Sequence, residues 1–175
     1  MIEEFMLLAN IAVAEKISMH FPTFAILRRH PKPKEKEIKD LSEQLSKFGF
    51  EVSVETSKKF ADCLDKATRP NDPFFNKLIR IMATRCMNQA IYFPLGEVEI
   101  MEAFHYGLAV KLYTHFTSPI RRYPDVILHR LLLSLLTYKN ISAPNLKTQC
   151  QHCSELENKA AKAERDSIKF KQTEY

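Results

Sequence analysis

The sequence predicts an α+β fold that is predominantly α-helical, with a few short strands. Three observations carry this. Apolar residues recur at three- and four-residue steps through much of the chain, which is the helical period. There are 3 Gly in 175 residues and few hairpin-turn signals, which disfavours a hairpin-rich β fold. Hydrophobic residues make up 45%, enough to build a core and too many for a disordered chain. The formal charge of +5 is mildly basic, which is compatible with nucleic acid without proving it. No stretch approaches ~18 uninterrupted apolar residues, and no secretory signal opens the chain, so no membrane span or export is expected. Cys63 and Cys86 sit in amphipathic segments and read as small buried hydrophobes in a reducing compartment.

Residues 2–19 predict a helix, from Ile2, Phe5, Met6, Ala9, Val13 and Ile17. Glu3 and Glu4 occupy its first turn, where the helix dipole favours anions. Asn10 lies inside it, where Asn has no propensity advantage, and solvation is the ordinary expectation. Phe24–Leu27 predicts a short strand, and the following Arg28-Arg29-His30-Pro31-Lys32-Pro33-Lys34 a basic loop, either solvated or in contact with phosphate. Ile38, Leu41, Leu45 and Phe48 form a helical stripe over 35–48, closed by Gly49. A brief strand is expected over 50–54. A short helix follows over 56–67, with Phe60, Ala61 and Leu64 inward, then a turn at 69–73. Phe74–Tyr92 reads as one helix with a broad apolar face, including Phe75, Leu78, Ile79, Met82, Cys86 and Ile91. Residues 93–102 form an acidic connection, and 106–113 an extended segment.

Pro124 marks the start of a long helix, since proline suits the first helical position and disfavours helical geometry before it. Residues 126–136 are apolar on nearly every side, which predicts deep burial. After a loop at 140–144, a mostly polar helix runs from Leu146 with no stop signal before Tyr175, so the chain is expected to be cut from a longer one.

The chemistry concentrates in Thr117-Ser118-Pro119-Ile120-Arg121-Arg122-Tyr123, just before that long helix. Hydroxyls, free backbone N–H groups and guanidinium forks in one place suit a phosphate. The alternative is a capped helix in which Arg121 or Arg122 pairs with Asp125. Aspartates at 40, 62, 65, 72, 125 and 166 form no dense cluster, so no two-metal site is expected. His105, His115 and His129 flank the loop without a compelling nucleophile–base order. Cys150 and Cys153 have metal-ligand spacing but lack a second pair, and on a helix they share one face in a core pattern.

HYGLAV…YTHFTSPIRRYPDVILHRLL, from His105 onward, resembles the signature of the RNB domain, the catalytic domain of the ribonuclease II and ribonuclease R family. MIEEFMLLANIAVAEKI is similar to that family's Glu-Glu helix, and FAILRRHPKP with IRIMATRCMNQAIYF is similar to its eukaryotic branch, the exosome catalytic subunit and its cytoplasmic paralogues. The resemblance implies hydrolysis of single-stranded RNA from the 3′ end to nucleoside 5′-monophosphates with Mg²⁺. It implies catalytic roles for Arg121, at the scissile phosphate, and Glu3, reading the terminal ribose hydroxyl. Thr117, Ser118, Arg122, Tyr113 and Glu164 would contact RNA. The family's metal-binding aspartates lie upstream of the Glu-Glu helix, so no metal ligand is expected here, and residues 1–175 are expected to be the C-terminal part of an RNB domain. The implied partners are single-stranded RNA and, through the parent protein, the exosome core, in nucleus or cytoplasm. Self-association through apolar surface is also expected. The alternative function is a non-catalytic helical module for binding RNA or protein.

Overall fold

The computed structural model describes residues 1–50, 53, 56–69, 72–138 and 145–173. It is predominantly helical, as the periodicity implies. The described elements are α1 (Ile2–His20), β1 (Ile26–Arg29), α2 (Glu35–Ser46), α3 (Ser57–Lys66), α4 (Phe75–Cys86), β2 (Ile91–Pro94), α5 (Tyr123–Thr137) and α6 (Leu146–Thr173), with two 3-10 turns between β2 and α5. The chain divides into two compact units. One comprises Met1–Arg29, Ala90–His105 and Val110–Tyr175; the other comprises His30–Gln89 and Tyr106–Ala109.

In the first unit, β1 and β2 form an antiparallel pair in the register Ile26↔Pro94, Leu27↔Phe93, Arg28↔Tyr92 and Arg29↔Ile91. Ala14 and Ile17 of α1, Leu27 of β1 and Leu128 and Leu131 of α5 are all fully buried in one cluster. Burying each large side chain contributes about 1.5–3 kcal/mol. α6 joins this cluster through Leu146 and Cys150. Its Ser154 Oγ accepts the Tyr92 N–H at 3.0 Å and donates to the Cys150 carbonyl at 2.9 Å. Burial pushes the Cys150 thiol up to about 12, so it behaves as an apolar core group. Gly96, in the first 3-10 turn, passes so close to Thr23 that a Cβ there would lie 2.7 Å from the Thr23 carbonyl oxygen.

In the second unit, α2, α3 and α4 pack through Leu41, Leu45, Phe60, Leu64, Ile79 and Ala83. Thr56 caps α3, its hydroxyl accepting the Lys59 N–H at 3.1 Å. Asn76 of α4 donates to the Leu64 and Ala67 carbonyls at 2.6 and 3.0 Å, satisfying the C-terminal end of α3. Gly49 follows α2 at φ +83°, a conformation that favours glycine.

Several expectations are corrected. α4 stops at Cys86, and residues 91–94 leave the helical pattern to pair with β1. The strand expected at 24–27 lies at 26–29, so Arg28 and Arg29 belong to β1 and not to a solvated basic loop. Arg28 is paired with Glu157 and Arg29 with Glu102. Residues 106–109 form a turn between bridged His105 and Val110, with Ala109 at φ +56°, and are not extended. α5 begins one residue before Pro124 and is buried on one side alone: Leu133 and Leu136 are 60% and 69% exposed. Ile2, Phe5 and Met6 of the expected α1 stripe are exposed, and Asn10 is buried in their place. Ala61 points outward, and Ala67 lies in the core. Cys63 is half-buried. The strand expected at 50–54 and the loop at 140–144 fall largely outside the described residues.

Candidate nucleic-acid interface

The segment Tyr113–Ser118 has no regular secondary structure, yet polar groups from several elements of the first unit hold it. The Arg28 N–H of β1 donates to the Tyr113 carbonyl at 2.8 Å. Thr114, fully buried, donates its hydroxyl to the Ile26 carbonyl at 2.9 Å. His129 of α5 bonds through Nε2 to the Phe116 carbonyl at 2.9 Å and stacks on the Phe116 ring at 4.3 Å. Asn10 of α1 is 4% exposed and uses both ends of its amide. Nδ2 donates to the Tyr113 hydroxyl at 3.1 Å, and Oδ1 accepts the Phe116 N–H at 2.9 Å. Segments without regular structure cannot be buried unless their backbone groups are met in this way.

His115 sits in a polar chain behind the segment. Its Nδ1 is 2.6 Å from the Tyr92 hydroxyl, and the Arg28 guanidinium lies 4.8 Å from the centre of the Tyr92 ring. Arg28 makes a two-pronged bond to Glu157 of α6, at 2.6 and 2.9 Å. Burial, reinforced by the nearby Arg28 and Arg122 cations, lowers the His115 pKa to about 3, so the ring is neutral at physiological pH. Burial also raises the Tyr92 phenol to about 12, which keeps its proton in place. These groups form a scaffold rather than an acid–base pair.

Beyond Ser118 the chain turns outward. The Arg121 N–H closes the turn on the Ser118 carbonyl at 3.3 Å, and Ile120 is fully exposed. The two arginines then part. Arg122 donates through its ε and terminal nitrogens to Asp125 Oδ2 at 3.2 and 2.8 Å. The same oxygen, on a carboxylate with no exposure, accepts the Ser118 N–H at 2.8 Å. Arg121 is exposed, and its guanidinium makes no hydrogen bond or ion pair among the described residues. Of the two readings of this loop, Arg122 realises the ion pair with Asp125, and Arg121 takes no part in it. The Thr117 hydroxyl and Asp125 Oδ1 are buried without a protein partner.

Thr117, Ser118, Arg121, Arg122 and Tyr113 therefore belong to one continuous structure. Glu3, exposed in the first turn of α1, joins it indirectly. It lies seven residues before Asn10, about two helical turns and about 10 Å along the axis, on the same face. Glu4 is rotated by about 100° from that face. Glu164 is exposed far along α6, and no described contact joins it to the loop; Glu157, two turns earlier, reaches Arg28 of β1 behind the loop. The structural weight of Asn10, Tyr92 and Glu157 is not visible in the motif. The signal was available at Asn10, an Asn placed where a helix disfavours it. Among the described residues no three His, Cys, Asp or Glu side chains are placed to hold a metal ion, Cys150 and Cys153 included. The described side chains do not fit an Mg²⁺ centre.

Two outcomes follow from this geometry. Arg122→Met strands the buried Asp125 carboxylate and is expected to cost about 3 kcal/mol in urea unfolding, whereas Arg121→Met is expected to stay within about 0.5 kcal/mol of the parent. The unfolded chain takes up a proton on His115 near pH 6.5 that the folded chain refuses until about pH 3. Stability should therefore be unaffected by this group above about pH 6.5 and decline as pH falls toward 3. His115→Phe should remove that part of the pH dependence in thermal melts.

Residues 1–138 match the model of the RNB domain. The chain is 50% identical over 143 residues to the probable exosome complex exonuclease RRP44 of Caenorhabditis elegans, covering 82% of this chain and 15% of that protein. It is 44% identical over 175 residues to human exosome complex exonuclease RRP44, covering 97% of this chain and 18% of that protein. It thus spans under a fifth of the length of these curated relatives. Among solved structures, the apo form of Mycoplasma genitalium RNase R superposes with a TM-score of 0.79 at 26% identity, over 98% of this chain and 27% of that one. Yeast Ssd1, a pseudonuclease, superposes with a TM-score of 0.78 at 29% identity, over 87% and 19%. The sequence signature, the family match and the shared fold agree, and the chain belongs to the RNB domain family.

Proposed function

We propose that this chain is part of a 3′-to-5′ exoribonuclease that hydrolyses single-stranded RNA to nucleoside 5′-monophosphates. In this reading it supplies contacts to the phosphate and ribose of the substrate, and Mg²⁺ is held by carboxylates outside residues 1–175. The observation that carries the proposal is the contrast between the two arginines: Arg122 is committed to Asp125, while Arg121 presents an unpaired guanidinium on a loop anchored from behind. A fixed fork of donors of this kind suits a phosphate oxygen pair. Ser118 would contribute its hydroxyl beside it, Thr117, whose own hydroxyl is buried, would shape the turn, and Tyr113 and Arg122 would hold its backbone. Glu3 would accept the terminal ribose hydroxyl, which is the group that separates RNA from DNA. Glu164, on the exposed part of α6, would meet RNA away from this loop. The similarity to exosome exonucleases and to RNase R supports the enzyme class, an association with the exosome core, and action in nucleus or cytoplasm.

The likeness to a pseudonuclease favours a second reading, a module that binds RNA without cutting it. A titration of the chain with fluorescein-labelled single-stranded RNA at several salt concentrations tests what both readings share. Arg121→Ala is expected to weaken binding and reduce the slope of log affinity against log salt by about one, with little dependence on RNA sequence. An unchanged slope would remove Arg121 from the phosphate contact. The chain alone is expected to leave a 3′-labelled RNA intact in Mg²⁺, and full-length protein carrying this segment is expected to shorten it if the enzyme reading holds. Intact RNA in the second assay would favour the binding module.

Self-association of the chain is supported by Ile2, Phe5 and Leu8, all more than half exposed at the start of α1. Sedimentation should show concentration-dependent dimers or larger species, and a single monomeric species across the range would refute this.

A further inference from the structure

We infer that Asn10 and Tyr113 are positioning residues that fix the register of the helix carrying Glu3 against the loop carrying Arg121, and that this register sets the preference for ribose over deoxyribose. The inference rests on the proposed roles of Glu3 and Arg121. A 2′-hydroxyl and a neighbouring phosphate are held apart by covalent geometry. A protein that reads both must therefore hold its two reading groups at a constant separation, and here those groups are on elements more than a hundred residues apart in sequence.

The structure offers a specific connection between them. Asn10 is nearly fully buried in the interior of α1, and its planar amide bonds two residues of the same segment, the Tyr113 hydroxyl at 3.1 Å and the Phe116 N–H at 2.9 Å. One such bond would let the helix swivel about it, whereas two bonds from one plane fix rotation as well as position. Below Asn10, Ala14 and Ile17 are fully buried, but their apolar contacts resist sliding less specifically. Above it, between Glu3 and Asn10, no residue is buried. Glu3 is thus carried on a helical extension whose last buried point is Asn10, about two turns away on the same face. Tyr113 is itself buried, its carbonyl accepts the Arg28 N–H, and its ring meets His105 and His115 at 5.1 and 5.6 Å between centres, so the hydroxyl that Asn10 meets is held by packing. Phe116 begins the stretch that leads through Ser118 to Arg121. The amide therefore joins the two reading groups without needing to touch RNA.

The test uses fluorescence anisotropy with an oligoribonucleotide and a counterpart lacking the 2′-hydroxyl of its last nucleotide. The quantity read is the ratio of the two affinities. Glu3→Gln should lower that ratio by about tenfold, the value of one hydrogen bond to a charged group. Asn10→Ala should lower it by a similar factor, and the double variant should add little. Tyr113→Phe keeps the ring and removes one of the two bonds, so it should give a smaller loss in the same direction. It decides the matter if Asn10→Ala does not fold by circular dichroism. If the folded variants at Asn10 and Tyr113 keep the parent ratio while Glu3→Gln lowers it, the positioning role is wrong and the ribose contact stands. If the parent shows no ribose preference, or Glu3→Gln leaves it untouched, the ribose contact is wrong and the positioning inference falls with it.

Discussion

Asp125 is a carboxylate with no solvent exposure at the start of a helix, and a charge removed from water needs donors. It finds them in the Arg122 guanidinium and the Ser118 N–H, all on one oxygen. This requirement shapes the loop more than any local preference does. It draws Ser118 in toward α5, takes one arginine of an adjacent pair out of circulation, and makes the three residues between them bulge outward. The exposed Ile120 and the unpaired Arg121 follow from that geometry. The second arginine stays exposed because an internal carboxylate holds only the first.

The same logic extends backward along the segment. Tyr113 through Phe116 lack the self-contained hydrogen bonds of a helix or a paired strand, so α1, β1 and α5 supply partners for them. Arg28 performs two tasks at once: its backbone extends the β1 bonding to Tyr113, and its side chain anchors α6 through Glu157 while lying over Tyr92. The neutral His115 completes this arrangement, because burial, reinforced by Arg28 and Arg122, disfavours its protonated form. The loop is therefore rigid at its base and open at its tip, which is the combination that preorganised recognition requires.

The helices of the second unit were legible because their signals are local. Ile38, Leu41 and Leu45 repeat on one face, and Thr56 is a capping residue at the right place. β2 was not legible, because Ile91 continues the apolar spacing of α4 and the register that claims residues 91–94 lies some 65 residues earlier in β1. The basic pair Arg28-Arg29 looked like surface for the same reason: Glu157 and Glu102 are far away in sequence. At the site, the motif drew attention to the loop and its two arginines, and chemistry alone posed the choice between an external phosphate and Asp125. Which arginine goes where depends on the direction of α5, which no local pattern encodes. Asn10 stood out as an anomaly, but its partners lie more than 100 residues away.

Gly96 shows how closely the first unit constrains its own sequence drift. A methyl group there would run into the backbone of Thr23, and backbone cannot rotate aside as a side chain can. Replacement at position 96 therefore requires the connection between α1 and β1 to move, and with it Ala25, whose carbonyl accepts the Leu95 N–H at 2.9 Å. Those two stretches, some seventy residues apart, cannot accumulate insertions or bulkier residues independently. Viable change at either should come as paired substitutions, so that the turn after α1 and the turn after β2 are inherited as one unit.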